Sequence, residues 1–182
     1  MTASFDSNKK VNTVWEQKTI SNTLMKGGPV MEILQAWQPV TYLKGRSLAD
    51  LGFFEVLTHF DYLKLSFSDL AETKVEVIYD QLVSPVEYYV WSYRFSTEYG
   101  RFDLNSLKED LSTVKDESSL YFYKVLNSEY LKWFDHNPLI NRKTHPKLEH
   151  HLYMNGDQVF EVLSEYEPKF IRVYNLKGSC TF

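Results

Sequence analysis

The sequence predicts an α+β protein, mainly an antiparallel sheet with several short helices and a C-terminal strand-helix-strand unit. Three observations predict it. Between Glu87 and Phe95, Tyr89, Trp91, Tyr93 and Phe95 alternate with Tyr88, Val90, Ser92 and Arg94. Side chains alternate across a strand, so this segment has one strongly aromatic face. Upstream, Leu63, Leu65 and Phe67 alternate with Tyr62, Lys64 and Ser66, and Val75, Val77 and Tyr79 alternate with Lys74, Glu76 and Ile78, the pattern of half-buried strands. Near the C-terminus, Val159, Phe160, Val162 and Leu163 form a helical stripe between two extended stretches.

The elements follow in order. Residues 1–10 are polar and read as a flexible tail, as do 175–182. Val11, Val14, Trp15, Ile20 and Leu24 fit a short helix that Gly27-Gly28-Pro29 ends, and Val30 to Trp37 resembles a second one, with an extended conformation as its alternative. The strands Leu63–Phe67, Lys74–Tyr79 and Tyr88–Phe95 have short connections, which predicts a three-stranded antiparallel meander in one sheet, with Tyr89, Trp91, Tyr93 and Phe95 packed in the core. Leu104, Leu107, Leu111 and Val114 suggest a surface helix or an ordered connection within 103–118. Ser119 to Leu126 is extended. Ser128 caps a helix bearing Tyr130, Leu131, Trp133 and Phe134, and Asn137-Pro138 stops it. A polar loop through Lys147 then leads to the strand His151–Met154, the turn Asn155-Gly156-Asp157, the helix of the stripe and the strand Phe170–Tyr174.

At 182 residues, with 43% hydrophobic, 24% charged and 16% aromatic content, the chain reads as one globular domain spanning 1–182. Its one cysteine, Cys180, excludes an internal disulfide framework and a cysteine zinc site, so the cytoplasm is the expected compartment. No stretch approaches the roughly 20 apolar residues of a membrane span. The net charge of −4 is unevenly spread. Residues 48–98 hold nine Asp/Glu against three Lys/Arg, a local −6, which argues against a nucleic-acid backbone as ligand and favours a basic protein partner.

Chemistry-bearing patterns are sparse. His59 and Asp61 flank Phe60, a spacing that places both on one side of a strand and suits an acid/base or metal pair, although neither a third ligand nor a nucleophile accompanies them and a polar strand end, with Asp61 orienting His59, is the commoner outcome. His136, His145, His150 and His151 fall in or beside one loop, but His150 and His151 would face opposite sides of a strand and no helical His-Glu-x-x-His exists, so solvent-exposed loop histidines are expected and no metal or cofactor. Gly27-Gly28 lacks the Lys-Ser/Thr of a phosphate loop, and Cys180 lacks neighbours that would stabilise a thiolate. The aromatic strand has too few cations beside it to stack RNA bases.

What remains is a binding-module profile. The face opposite the core aromatics offers Tyr88 and Arg94, flanked by Glu76 and Glu87, as candidate partner-binding residues, because Tyr and Arg are enriched at interfaces. Through the acidic strands from Leu63 to Phe95 and the closing Asp157-Gln-Val-Phe-Glu-Val-Leu-Ser segment, the chain resembles in general build the small bacterial immunity proteins of polymorphic and contact-dependent toxin systems. The resemblance implies a non-enzymatic protein that neutralises a basic toxin domain by direct binding. Two alternatives stand beside it: a small hydrolase or metal-dependent enzyme using His59 with Asp61 or the histidines of 136–151, and a structural or regulatory subunit of an oligomer.

Overall fold

A computed structural model describes residues 30–37, 43, 50–81, 89–114 and 122–173, the side chains of residues 53 and 54 excepted. The two tails, the helix expected over 11–25, Gly27-Gly28, Cys180, Glu87 and Tyr88 lie outside the described residues. The chain divides into Met1–Val30 and Met31–Phe182, and every element below belongs to the second unit.

The α+β class with mainly antiparallel sheet is what the structure shows. The elements are β1 (Ile33–Trp37), β2 (Gly52–Thr58), β3 (Leu63–Ser68), β4 (Lys74–Tyr79), β5 (Ser92–Thr97), a 3-10 segment (Glu98–Ser106), β6 (Lys108–Asp110), β7 (Phe122–Leu126), α1 (Glu129–Phe134), β8 (Glu149–Met154), β9 (Gln158–Ser164) and β10 (Lys169–Val173). Among the described residues these strands form a six-stranded sheet, in the order β5-β9-β8-β7-β1-β6, and a four-stranded sheet, β10-β4-β3-β2. All pairings are antiparallel except β1 with β6.

The sheets face each other. Leu63, Leu65, Phe67, Val75, Val77 and Tyr79 from the smaller sheet meet Trp37, Phe122, Tyr153, Phe160 and Val162 from the larger in one core. Phe67 and Phe122 have centroids 5.2 Å apart, and Phe170 stands edge-on to Trp37 at 5.6 Å. The other side of the large sheet is covered too. Leu104 of the 3-10 segment lies with Leu34, Tyr123, Val125, Leu152 and Val159, while Tyr130, Leu131 and Phe134 of α1 pack with Leu163 and Leu148. A six-residue helix is not stable alone. Here Ser128 caps it as expected, accepting from Leu131 N–H, and its three buried side chains contribute about 1.5–3 kcal/mol each.

Several expectations need correction. The closing helix is the strand β9. Its residues 159–164 are all buried because both faces of the large sheet are covered, and a strand buried on both faces shows no period of two. The strand-helix-strand unit is therefore a β8–β9 hairpin, turned at Asn155-Gly156, where Asn155 Oδ1 accepts from the N–H groups of Asp157 and Gln158 at 2.9 and 2.7 Å. The meander holds for β3 and β4 only. Its third strand leaves for the other sheet, β5 pairing with β9, and the neighbours of β3 and β4 are β2 and β10. Residues 33–37 take the extended alternative, paired along their length with β7. Over 103–114 the structure takes the ordered connection rather than the surface helix, as the end of the 3-10 segment followed by β6, and residues 115–118 lie outside the described residues.

A candidate binding face on β5 and α1

Position 161 is where the large sheet departs from apolar chemistry. Glu161, with no exposed side-chain surface, sits in the middle of β9 directly opposite Arg94 of β5. Arg94 donates from Nε to Oε2 at 2.5 Å and from Nη2 to Oε1 at 2.7 Å. Arg101, from the 3-10 segment, donates to the same carboxylate through Nη1 and turns its Nε and Nη2 to Asp103 at 3.0 Å each. Burial alone would raise the Glu161 carboxyl, but His150 and the two guanidiniums override it and hold the group well below the usual carboxylate range.

The network extends beneath α1. His150 Nε2 lies 3.1 Å from Glu161 Oε1, a close approach without hydrogen-bond alignment, and its Nδ1 is 2.7 Å from Ser128 Oγ. Since Ser128 Oγ already accepts from Leu131 N–H, its own hydrogen is free to go to His150 Nδ1, which places the ring proton on Nε2 facing the carboxylate. Burial pushes the His150 pKa down, against the opposing pull of the Glu161 carboxylate.

Above this buried network the surface is aromatic. The Arg94 guanidinium stacks 4.1 Å from the centroid of Tyr130, and Ser92, Tyr93, Arg94, Tyr130 and Trp133 line a cleft of about 340 Å³. Ser92 Oγ and Tyr130 Oη, 2.7 Å apart, tie the strand to the helix. Trp133 is 64% exposed and Phe95 53%, while Tyr99 and Phe102 of the adjoining 3-10 segment are exposed at 88% and 69%. Of the four aromatic residues expected in the core, Tyr89 packs partly buried against it, Trp91 packs partly buried against α1 on the other side of the sheet, and for Tyr93 and Phe95 the expectation is overturned. They point to the side facing the smaller sheet, but β5 is the edge strand and neither is covered.

The nominated residues separate. Arg94 is in the cleft, whereas Glu76 lies on the outward face of the four-stranded sheet, hydrogen-bonded by Lys64 Nζ at 3.1 Å. Lys64 also reaches Glu55 at 3.3 Å, so this part of the acidic segment is paired. His59 and Asp61 come together in the β2–β3 turn, both exposed, with Nδ1 and Oδ2 3.7 Å apart. The four later histidines do not converge. His136 is exposed, His145 meets the edge of Trp91 at 4.9 Å, and His150 and His151 are buried on opposite faces of β8, contrary to the expected exposed loop positions. Among the described residues no group of three or more His, Cys, Asp or Glu could hold a metal ion. No described helix is long and apolar enough to cross a membrane.

His151 belongs to a second buried chain. Its Nδ1 is 2.7 Å from Tyr79 Oη, which is 2.6 Å from Tyr153 Oη; its Nε2 is 3.2 Å from Glu149, which Lys124 meets at 2.8 Å. Burial lowers the His151 pKa and raises both tyrosines, while His151 and Lys124 draw the Glu149 carboxyl down to about 2.

Glu161, Arg101, Tyr130 and Trp133 were not singled out by sequence reasoning. A single carboxylate inside Val159-Phe160-Glu161-Val162-Leu163 was the available clue, because a charge in a buried apolar run requires a partner. Comparison of the chain with family models, with curated proteins and with solved structures finds no match.

Proposed function

We propose that the chain is a protein-binding module that contacts its partner through the β5–α1 face, acting by direct occupation in the manner of the immunity proteins it resembles in build. The observation that carries this reading is the cleft in which Arg94, oriented by buried Glu161, stacks on Tyr130 beside exposed Trp133. Trp, Tyr and Arg are the residue types that dominate interface energetics, and an arginine fixed in advance loses little freedom on binding. Glu98 after β5 and Glu165 after β9 supply an acidic rim suited to steering a basic partner, such as a basic toxin domain, whereas Glu129 of α1 is paired with Lys132 at 2.6 Å.

The test is affinity capture from the source cells with wild-type protein, Trp133→Ala and Glu76→Lys. Trp133→Ala is expected to weaken partner binding by about 2 kcal/mol, roughly thirtyfold, with little loss of stability, and Glu76→Lys to leave it within about threefold. Binding that survives Trp133→Ala and is lost with Glu76→Lys would move the interface to the four-stranded sheet and sink this reading.

A further inference from the structure

Strand β5 is the outermost strand of its sheet and pairs only with β9 among the described residues. In an antiparallel ladder alternate residues turn their N–H and C=O groups to the partner, and those between turn them away. The hydrogen bond from Glu98 N–H to Asp157 C=O fixes the parity. Ser92, Arg94 and Ser96 face β9, so Tyr93 and Phe95 present their backbone groups outward.

Exposed edges invite pairing unless they are blunted by charge, shortness or a bulge. The other end of this sheet is blunted, since β6 is three residues long and all charged. In the smaller sheet the edge strand β2 has a register irregularity between Phe53 and Glu55, and β10 carries Lys169 and Arg172. β5 is irregular only at its start, where Trp91 N–H donates to Leu163 C=O although Ser92 is the residue opposite Leu163. From Tyr93 to Thr97 nothing among the described residues covers it, its outward backbone groups belong to Tyr93, Phe95 and Thr97, all exposed, and its charge, Arg94, is folded onto Glu161.

The geometry points to β5 as the acceptor of an extended segment of a partner protein, added as a further strand, with one aspartate or glutamate seated against Arg94 between two apolar residues lying beside Tyr93 and Phe95. This rests on the protein-binding reading and specifies its contact. A residue opposite Arg94 projects to the α1 side of the sheet, and its two neighbours project to the side of Tyr93 and Phe95. Arg94 spends Nε and Nη2 on Glu161, and its Nη1 makes no hydrogen bond among the described residues. Its free edge suits a carboxylate. The acidic rim disfavours a run of acids, so a single carboxylate in an apolar setting is the complementary ligand. Main-chain hydrogen bonds then supply affinity and the alternate side chains selectivity.

The experiment pans phage-displayed linear heptapeptides on the purified full chain. Enriched peptides are expected to share an apolar–acidic–apolar triad, and amide exchange at Tyr93 and Phe95 is expected to slow when a selected peptide is added. Phe95→Pro removes an outward N–H while sparing the ladder to β9, and is expected to weaken that peptide at least about tenfold, whereas Phe95→Val stays within about threefold. Absence of enrichment, enrichment of lysine-centred peptides, unchanged exchange at both amides, or equal binding by the two variants overturns the proposal. Exchange on wild-type protein decides the matter even if Phe95→Pro fails to fold. A captured partner that depends on Trp133 but binds Phe95→Pro normally removes strand addition and leaves the binding face intact.

Discussion

Arg94 and Glu161 stand directly opposite each other on the β5–β9 ladder, the arginine half in solvent and the carboxylate wholly inside. The edge strand is thereby fastened to the sheet by a charge pair as well as by backbone bonds. Removing the charge takes from Arg94 its counter-charge and leaves Arg101 with Asp103 and Glu32, so Glu161→Gln should cost about 3 kcal/mol in urea unfolding. Because the folded state holds this carboxyl below its ordinary 4.5, the stability it contributes is complete above that pH and is lost as pH falls toward the folded value. The wild type should therefore weaken more steeply than Glu161→Gln below pH 4.5. Parallel curves for the two proteins would show that the pair contributes nothing to folding.

The buried histidines act in a higher window. His150 and His151 both titrate below the ordinary 6.5 because burial disfavours their charged forms. The unfolded chain takes up their protons first, so stability is full above pH 6.5 and declines as pH drops toward the folded values. Replacing His151 by Phe should reduce the slope of stability against pH below 6.5 by up to about 1.4 kcal/mol per pH unit, measured by urea unfolding at several pH values. An unchanged slope would mean that His151 is not the group being titrated.

Ser128 serves two structures at once, capping α1 and hydrogen-bonding His150. Ser128→Ala should cost about 2 kcal/mol, the loss of a cap together with an unpartnered buried ring nitrogen. A lowered urea midpoint at constant slope is the expected measurement, and a loss below about 0.5 kcal/mol would show that α1 does not need its cap.

Glu72 has φ of 60° in the β3–β4 turn, where Asp69 Oδ1 gathers the N–H groups of Ala71 and Thr73 at 2.9 and 2.8 Å. A residue with a Cβ is strained there and glycine is not. Glu72→Gly should therefore raise stability by about 1 kcal/mol, seen as a higher melting midpoint. A lower midpoint would mean that the entropy glycine adds to the unfolded chain outweighs the strain.

What the sequence determined by itself was local. The period of two over Leu63–Phe67 and Lys74–Tyr79, with a short turn between them, specified β3, β4 and their antiparallel pairing, and Ser128 ahead of Tyr130, Leu131 and Phe134 specified α1 and its cap. What only the tertiary structure decided was which sheet each strand joined and which faces were covered. Strand β9 lost its alternation because α1 and the 3-10 segment cover the side of the sheet away from the core, and without alternation its apolar run fits a helix as well as a strand. The aromatic segment kept its period only from Ser92 onward, since Val90 lies in the core and Trp91 packs against α1 on the other side of the sheet from Tyr93 and Phe95, and period says only which side chains share a face. β5 joined the larger sheet as its edge, where Arg94 meets Glu161, 67 positions away in sequence. Neighbours at that separation are set by the packing of the whole chain, because a buried charge must find its counter-charge wherever the fold brings one.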